Sequence, residues 1–196
     1  MRSFYEAFWA DAPDDPEPWA WERRRALLLA EARPGERVLD LGCGAGRFLA
    51  ALQDAGADPV GVEIAQAAVD RARNNVPGAD VRLLEDDLPL GHGEVDLVWC
   101  SETLEHIPDV AHALFEVRRV LKPGGRLLVT VPWNPPLIRP PDPLGQHVRF
   151  FTRRSLIHTL DAAGFAPVEV RRARRMLVAR ATRPGPPGSA TPRRRR

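Results

Sequence analysis

From residue 37 onward the apolar positions fall into two alternating patterns: short runs rich in Val and Leu, and longer stretches whose apolar residues recur every three or four positions. The short runs, at 37–41, 59–63, 81–84, 95–101 and 126–132, place hydrophobic residues consecutively, as strands buried on both faces do. Helical stretches lie at 47–55, with Phe48, Leu49 and Leu52, at 65–74, closed by Pro77 and Gly78, and at 110–121, with Val110, Leu114, Val117 and Leu121. Such alternation predicts parallel strands joined by right-handed crossovers.

After residue 132 the pattern changes. Residues 133–146 contain five prolines and no periodicity, which predicts a surface loop of the length that lids and binding elements have. Thr152 is placed to cap a helix carrying Leu156, Ile157, Leu160 and Ala163 and stopped by Gly164. The runs 167–173 and 176–182 are separated by too few residues for a crossover and must pair as an antiparallel hairpin. The expected fold is therefore α/β: a seven-stranded, mostly parallel sheet with a C-terminal antiparallel hairpin and helices on both faces. Ahead of it, residues 1–33 read as a helical cap. There Phe4, Tyr5, Phe8 and Trp9 precede a breaker segment at 11–18, and a helix over 19–32 ends at Pro34-Gly35. The sheet domain is assigned to 34–183, and 184–196, with four prolines and a terminal run of four arginines, to a disordered basic tail.

Composition narrows the class. With 196 residues, 44% of them hydrophobic, the chain can bury one core and is not disordered throughout. No run approaches the ~18 apolar residues of a membrane span, and Arg2, Glu6 and Asp11 break up any secretory leader, so a cytoplasmic protein is expected. Cys43 and Cys100 lack the spacing of a zinc site or disulfide framework, so no metal is expected. The formal charge of +2 divides into −9 for residues 1–98 (10 basic, 19 acidic) and +11 for residues 99–196 (18 basic, 7 acidic). This asymmetry raises a nucleic-acid partner, but 27 of the 28 basic residues are Arg, with Lys122 the single lysine, as a GC-rich coding bias produces without any ligand.

The strongest local chemistry is Val38-Leu39-Asp40-Leu41-Gly42-Cys43-Gly44-Ala45-Gly46-Arg47, a hydrophobic strand running into alternate glycines and then a helix. Glycine there lets the backbone turn tightly and approach a ligand. Twenty-one positions after Gly42, Glu63 ends the second strand, where an acid can accept from a ribose diol. The third glycine comes one residue earlier than in a dinucleotide fingerprint, and Asp40 puts a carboxylate where a pyrophosphate would lie. Like charges repel; the sulfonium and ammonium of S-adenosylmethionine are attracted.

On these motifs the chain resembles the small, non-metal class I S-adenosylmethionine-dependent methyltransferases, over roughly residues 23–182. The resemblance implies a Rossmann-like fold and a cofactor held by Asp40, Gly42, Cys43, Gly44 and Gly46 of the first motif and by Glu63 and Ile64 of the second. In the third, at 81–90, it implies Asp86 or Asp87 at the adenine amino group and Leu88 beside the ring, and it adds Ser101, at the end of the fourth strand, to the cofactor-binding residues. The turn Lys122-Pro123-Gly124-Gly125 and the segment His147-Val148-Arg149-Phe150-Phe151-Thr152 match as well.

Displacement at a sulfonium demands alignment of acceptor and methyl more than charge stabilisation, and a base only where the acceptor loses a proton. His106, just past the fourth strand, and His147, closing the proline-rich loop, are nominated for that task. Tyr5, Trp9, Trp19 and Trp133 are nominated to hold the acceptor. The amino-methylating motif of DNA and protein-glutamine enzymes is missing after the fourth strand, where Ser101-Glu102-Thr103-Leu104 stands, and no catechol-type magnesium set is evident. A small-molecule acceptor is expected. An RNA or protein acceptor engaged by the basic half, and a non-catalytic cofactor-binding protein, stay open as alternatives.

Overall fold

The computed structural model describes residues 1–13, 16–133 and 145–185. Its elements in chain order are α1 (Arg2–Asp11), α2 (Trp21–Leu29), β1 (Arg37–Leu41), α3 (Arg47–Asp54), β2 (Asp58–Glu63), α4 (Gln66–Asn75), β3 (Asp80–Leu83), β4 (Val95–Ser101), a 3₁₀ turn (Leu104–His106), α5 (Val110–Val120), β5 (Leu121–Pro132), α6 (Arg153–Ala162), β6 (Val168–Ala173) and β7 (Met176–Thr182). The strands form one seven-stranded sheet in the order β3-β2-β1-β4-β5-β7-β6, parallel except for β7, which runs antiparallel to both β5 and β6. The expected sheet and hairpin are present. Among the described residues no helix is long and apolar enough to cross a membrane.

Strand order follows from which faces must be buried. Val38 and Leu39 of β1, and Leu97 and Val98 of β4, are fully buried on opposite faces. One face packs Leu114, Val117, Leu156 and Leu160 of α5 and α6, and the other packs Leu28 of α2 and Phe48 and Leu52 of α3. Two caps set where helices begin: Asp109 accepts from the His112 N–H (2.9 Å), and Thr152 and Ser155 form a reciprocal capping box, as expected of Thr152.

Three local features depart from the sequence reading. The aromatic segment at the N-terminus is a helix of its own, α1. Helix α2 starts at Trp21, two residues late, because Ala20 sits in the left-handed region (φ 53°). Strand β5 begins at Leu121 instead of 126, since the Lys122-Pro123-Gly124-Gly125 turn is absorbed as an irregularity in its pairing with β4. The proline-rich loop at 134–144 and the tail from 186 lie outside the described residues.

Helix α3 approaches the sheet over Gly61, where a β-carbon would lie 2.7 Å from Leu49 Cδ1 and 2.8 Å from Cys43 Sγ. Gly61→Val is expected to wedge helix from sheet and lower stability by about 1–3 kcal/mol. An unchanged midpoint in urea unfolding would contradict this packing.

Candidate active site

The parallel strands end at one rim, and there the chain builds a crevice. Past β1, Gly42 turns in the left-handed region (φ 81°), and its N–H and that of Cys43 both donate to the Val62 carbonyl (2.8 and 3.2 Å), which clips the glycine loop to the end of β2. Gly44 also has positive φ (52°), and its N–H donates to Glu63 Oε2 at 3.1 Å. Glu63 Oε1 accepts from Ile64 N–H at 2.7 Å. Burial pushes the Glu63 carboxyl up, and these backbone donors pull it back. The loop thus holds an acid at the crevice wall.

The cavity between loop and β4 has a volume of about 240 Å³. Its lining takes Gly42, Glu63 and Ile64 from the ends of β1 and β2 and Glu102, Thr103 and His106 from the segment after β4, with Gly42 lying against Thr103. Helix α1 is the roof, with Tyr5, Phe8 and Trp9 pointing inward. A β-carbon at Gly44 would stand 2.8 Å from the Trp9 ring, so the loop glycine is in contact with the roof. Glu6 ties α1 down by accepting from the Gln66 and Ala67 N–H groups (2.7 and 3.0 Å), the first turn of α4, where a carboxylate meets exposed backbone donors. Arg2 donates to the Leu84 carbonyl at 2.7 Å.

Beneath this crevice lies a buried polar network. Arg24 of α2, 6% exposed, donates to Ser101 Oγ (2.8 Å), to the Ser101 carbonyl (3.0 Å) and to the Trp19 carbonyl (3.1 Å). Ser101 Oγ also bonds Thr130 Oγ1 (2.7 Å). Asp40 is 2% exposed and its Oδ2 has no hydrogen-bond partner. Burial raises the Asp40 pKa to about 7, against the opposing pull of the Arg24 cation and with added push from Glu63. Glu102, next to Ser101, has φ 52°, a costly conformation for a residue with a β-carbon. Its Oε1 is shut off from solvent without a hydrogen-bond partner, and burial raises its carboxyl too, against the pull of Arg24.

A pH dependence follows. Because the folded pKa of Asp40 lies above its unfolded value near 3.9, this group's contribution to stability is fully present below about pH 4 and is lost as pH rises through about 7. A bound cation favours the ionised form. Affinity for a cationic ligand is therefore expected to rise with pH up to about 7 and then level off, by less than tenfold per pH unit. In Asp40→Asn the slope is expected to flatten and the ligand-free melting temperature to rise more at pH 8 than at pH 5. Calorimetric titrations across pH 5.5–8.5 check both; a native affinity independent of pH would refute the argument.

The remaining nominated residues divide. Tyr5, Trp9, Ile64 and His106 line the crevice. His106 and His147 come together, with ring centroids 4.8 Å apart, and buried Glu105 joins them, the ligand atoms of the three lying within 4.8 Å of one another. Cys43 is buried against Gly61, and Gly46 starts α3 against Ala72 of α4 and Val76 just past its end, so both shape the loop from behind. Ser101 is engaged by Arg24 and Thr130, below the crevice.

The third motif is placed differently from expectation: Asp86 and Asp87 are exposed, with Asp87 Oδ1 3.1 Å from His112 Nε2, and Leu88 is buried in the core with its N–H donated to Glu116 (3.0 Å). Their short spacing to Leu88 carries them outward, and Leu84 stands at the cavity in their place. Trp19 lies away from the crevice, half exposed on a groove of about 1100 Å³ between α2 and the β6–β7 turn. Trp133 packs under the Arg172 guanidinium, 3.3 Å from the ring centroid. Sequence reasoning passed over Arg24, Glu102, Glu105 and Glu6. Arg24 had a signal, since it stands one helical turn before Leu28 on the face that is buried.

Comparison with known proteins supplies the context for this crevice. The family described as a methyltransferase domain matches residues 12–170. A probable S-adenosylmethionine-dependent methyltransferase of Mycolicibacterium smegmatis is 34% identical over 155 residues, 74% of this chain and 59% of that protein. The ubiquinone biosynthesis O-methyltransferase of Thiobacillus denitrificans is 37% identical over 111 residues, 54% and 46% of the two chains. Among solved structures, the 1,6-didemethyltoxoflavin-N1-methyltransferase of Burkholderia thailandensis superposes with a TM-score of 0.69 at 26% identity, covering 93% of this chain and 84% of that one. The matched region spans 36–59% of the length of four of the curated relatives.

Proposed function

The chain belongs to the class I S-adenosylmethionine-dependent methyltransferases, and on that premise we propose that it methylates a small-molecule acceptor by in-line transfer inside the crevice under α1. The observation that carries this reading is the enclosure: the reacting space is roofed by Tyr5, Phe8 and Trp9 of the chain itself, with α1 fastened to the rim through Arg2 and Glu6. Relatives named for ubiquinone and rifamycin methylation point the same way.

The residues present fit the cofactor. A ribose diol finds an acceptor in Glu63, held in place by the loop amides. A cation finds the carboxylate of Glu102 at the cavity wall and, beneath the crevice, the buried Asp40 with its unpartnered Oδ2, whereas a diphosphate would meet the acids Glu63 and Glu102 directly. Bound there, S-adenosylmethionine supplies an electrophilic methyl group on sulfur. The chain's part is to orient and enclose: Glu63 and the glycine loop fix the nucleoside, Asp40 and Glu102 favour the positive end, and the α1 aromatics exclude water and present a flat apolar surface to the acceptor. His106 lines the cavity, with Glu105 and His147 beside it, so polar side chains stand close to where a hydroxyl acceptor would sit.

Incubation with labelled methyl donor and fractionated metabolites, followed by mass analysis, is expected to find label in a low-molecular-mass compound. Label only in RNA or protein would overturn the proposal. In parallel, S-adenosylhomocysteine is expected to raise the melting temperature and NAD to leave it unchanged.

A further inference from the structure

Glu105 and His106 lie in the 3₁₀ turn after β4, while His147 arrives from the far side of the loop after β5. The fold stitches the two segments together. Val148 and Arg149 N–H both donate to the Glu105 carbonyl (3.0 and 3.3 Å), and the Arg149 guanidinium donates to the Ile107 and Pro108 carbonyls (2.8 and 2.6 Å). His106 Nδ1 faces the Gln146 carbonyl at 3.2 Å. A ring that donates its Nδ1–H to a carbonyl presents Nε2 as a lone pair of fixed direction, the arrangement that orients metal-ligating imidazoles. That Nε2 lies 3.9 Å from Glu105 Oε1.

We propose that Glu105, His106 and His147 hold a divalent transition-metal ion that presents a hydroxyl group of the acceptor to the methyl donor. One carboxylate and two imidazoles suit zinc, manganese or cobalt and leave coordination positions open for an exogenous oxygen. The ligand atoms lie within 4.8 Å of one another, and small side-chain rotations bring them onto a common ion at bonds of about 2.0–2.2 Å. His106 lines the cavity, so the open positions face the acceptor space, and Glu102, with its unpartnered Oε1, stands on the same wall. A cation here also places positive charge beside a Glu105 side chain that is buried almost completely.

The inference rests on the methyltransferase reading and adds the acceptor's chemistry to it: a hydroxyl compound. The step balances without an oxidant. The metal lowers the pKa of the coordinated hydroxyl, whose proton leaves to solvent. The oxygen then bonds to the methyl carbon as the carbon–sulfur bond breaks, its electron pair going to sulfur, and the metal keeps its oxidation state.

The test uses the full chain stripped with a chelator and titrated with cobalt(II), read by visible d–d absorption, with S-adenosylhomocysteine affinity measured on the same samples. One equivalent of cobalt is expected to bind. His147→Ala and Glu105→Gln are expected to weaken cobalt binding by about tenfold or more while leaving the homocysteine nucleoside's affinity unchanged, and His158→Ala, on exposed α6 surface, to behave as the native chain. No cobalt spectrum in the native chain, or equal cobalt affinity in His147→Ala, would overturn the site. Cobalt bound without the nucleoside would keep the site and overturn the methyltransferase reading; nucleoside bound without cobalt would do the reverse.

Discussion

Glu63→Ala is expected to weaken binding of S-adenosylhomocysteine by about a hundredfold or more. Two losses combine. A ribose diol that gave two hydrogen bonds to a carboxylate loses about 1.5–3 kcal/mol for each, and 1.4 kcal/mol is a factor of ten. The Gly44 and Ile64 amides lose their acceptor as well, so the glycine loop no longer holds the shape that receives the nucleoside. Glu63→Gln keeps the volume but offers one oxygen in place of two, and is expected to fall between the native chain and alanine. Isothermal titration on all three proteins, with urea midpoints to establish folding, decides it. An alanine variant that binds within threefold of the native chain would remove Glu63 from the ribose site.

The largest expected effect on stability is that of Arg24→Met, about 3–5 kcal/mol. Methionine keeps much of the side chain's bulk, so the loss is of charge and hydrogen bonds. The Ser101 and Trp19 carbonyls lose their donor, and Asp40 and Glu102 lose the cation that offsets their burial. At 2–4 °C per kcal/mol for a chain of this size, the melting temperature should fall by roughly 10 °C. The deficit is expected to be larger at pH 8 than at pH 5, because both carboxyls are held above their ordinary range and ionise as the pH rises. Arg24→Lys retains the charge without the fork that spans Ser101 and Trp19, and should recover part of the loss. A melting temperature within 2 °C of the native value for methionine would mean that the buried guanidinium stabilises nothing net.

The legible parts of this protein were those in which one local signal suffices. Consecutive Val and Leu with glycine turns marked the sheet, and β1, β4 and β7 have the predicted bounds. Alternate glycines after β1 and an acid at the end of β2 marked the crevice, since both are set by a single crossover. What stayed hidden depends on contacts between segments distant in the chain. Glu6 meets α4 some 60 residues away, Arg24 meets Ser101 across 77, and His147 meets His106 across a loop. A periodicity cannot register such pairs. In the third motif the two acids were read by type, while their exposed placement is set by Leu88 entering the core beside them.

The roof bears on the pace of the reaction. None of the α1 residues is fully buried, and its hydrogen bonds to the rest of the chain run through the side chains of Arg2 and Glu6 and through the Ala10 carbonyl, which accepts from Arg71. Such an element can detach while the sheet beneath stays intact, at a free-energy cost far below that of global unfolding. On the proposed function, exchange of spent nucleoside for fresh donor is expected to be a local opening event, with the dwell time of the product set by the ten residues of α1.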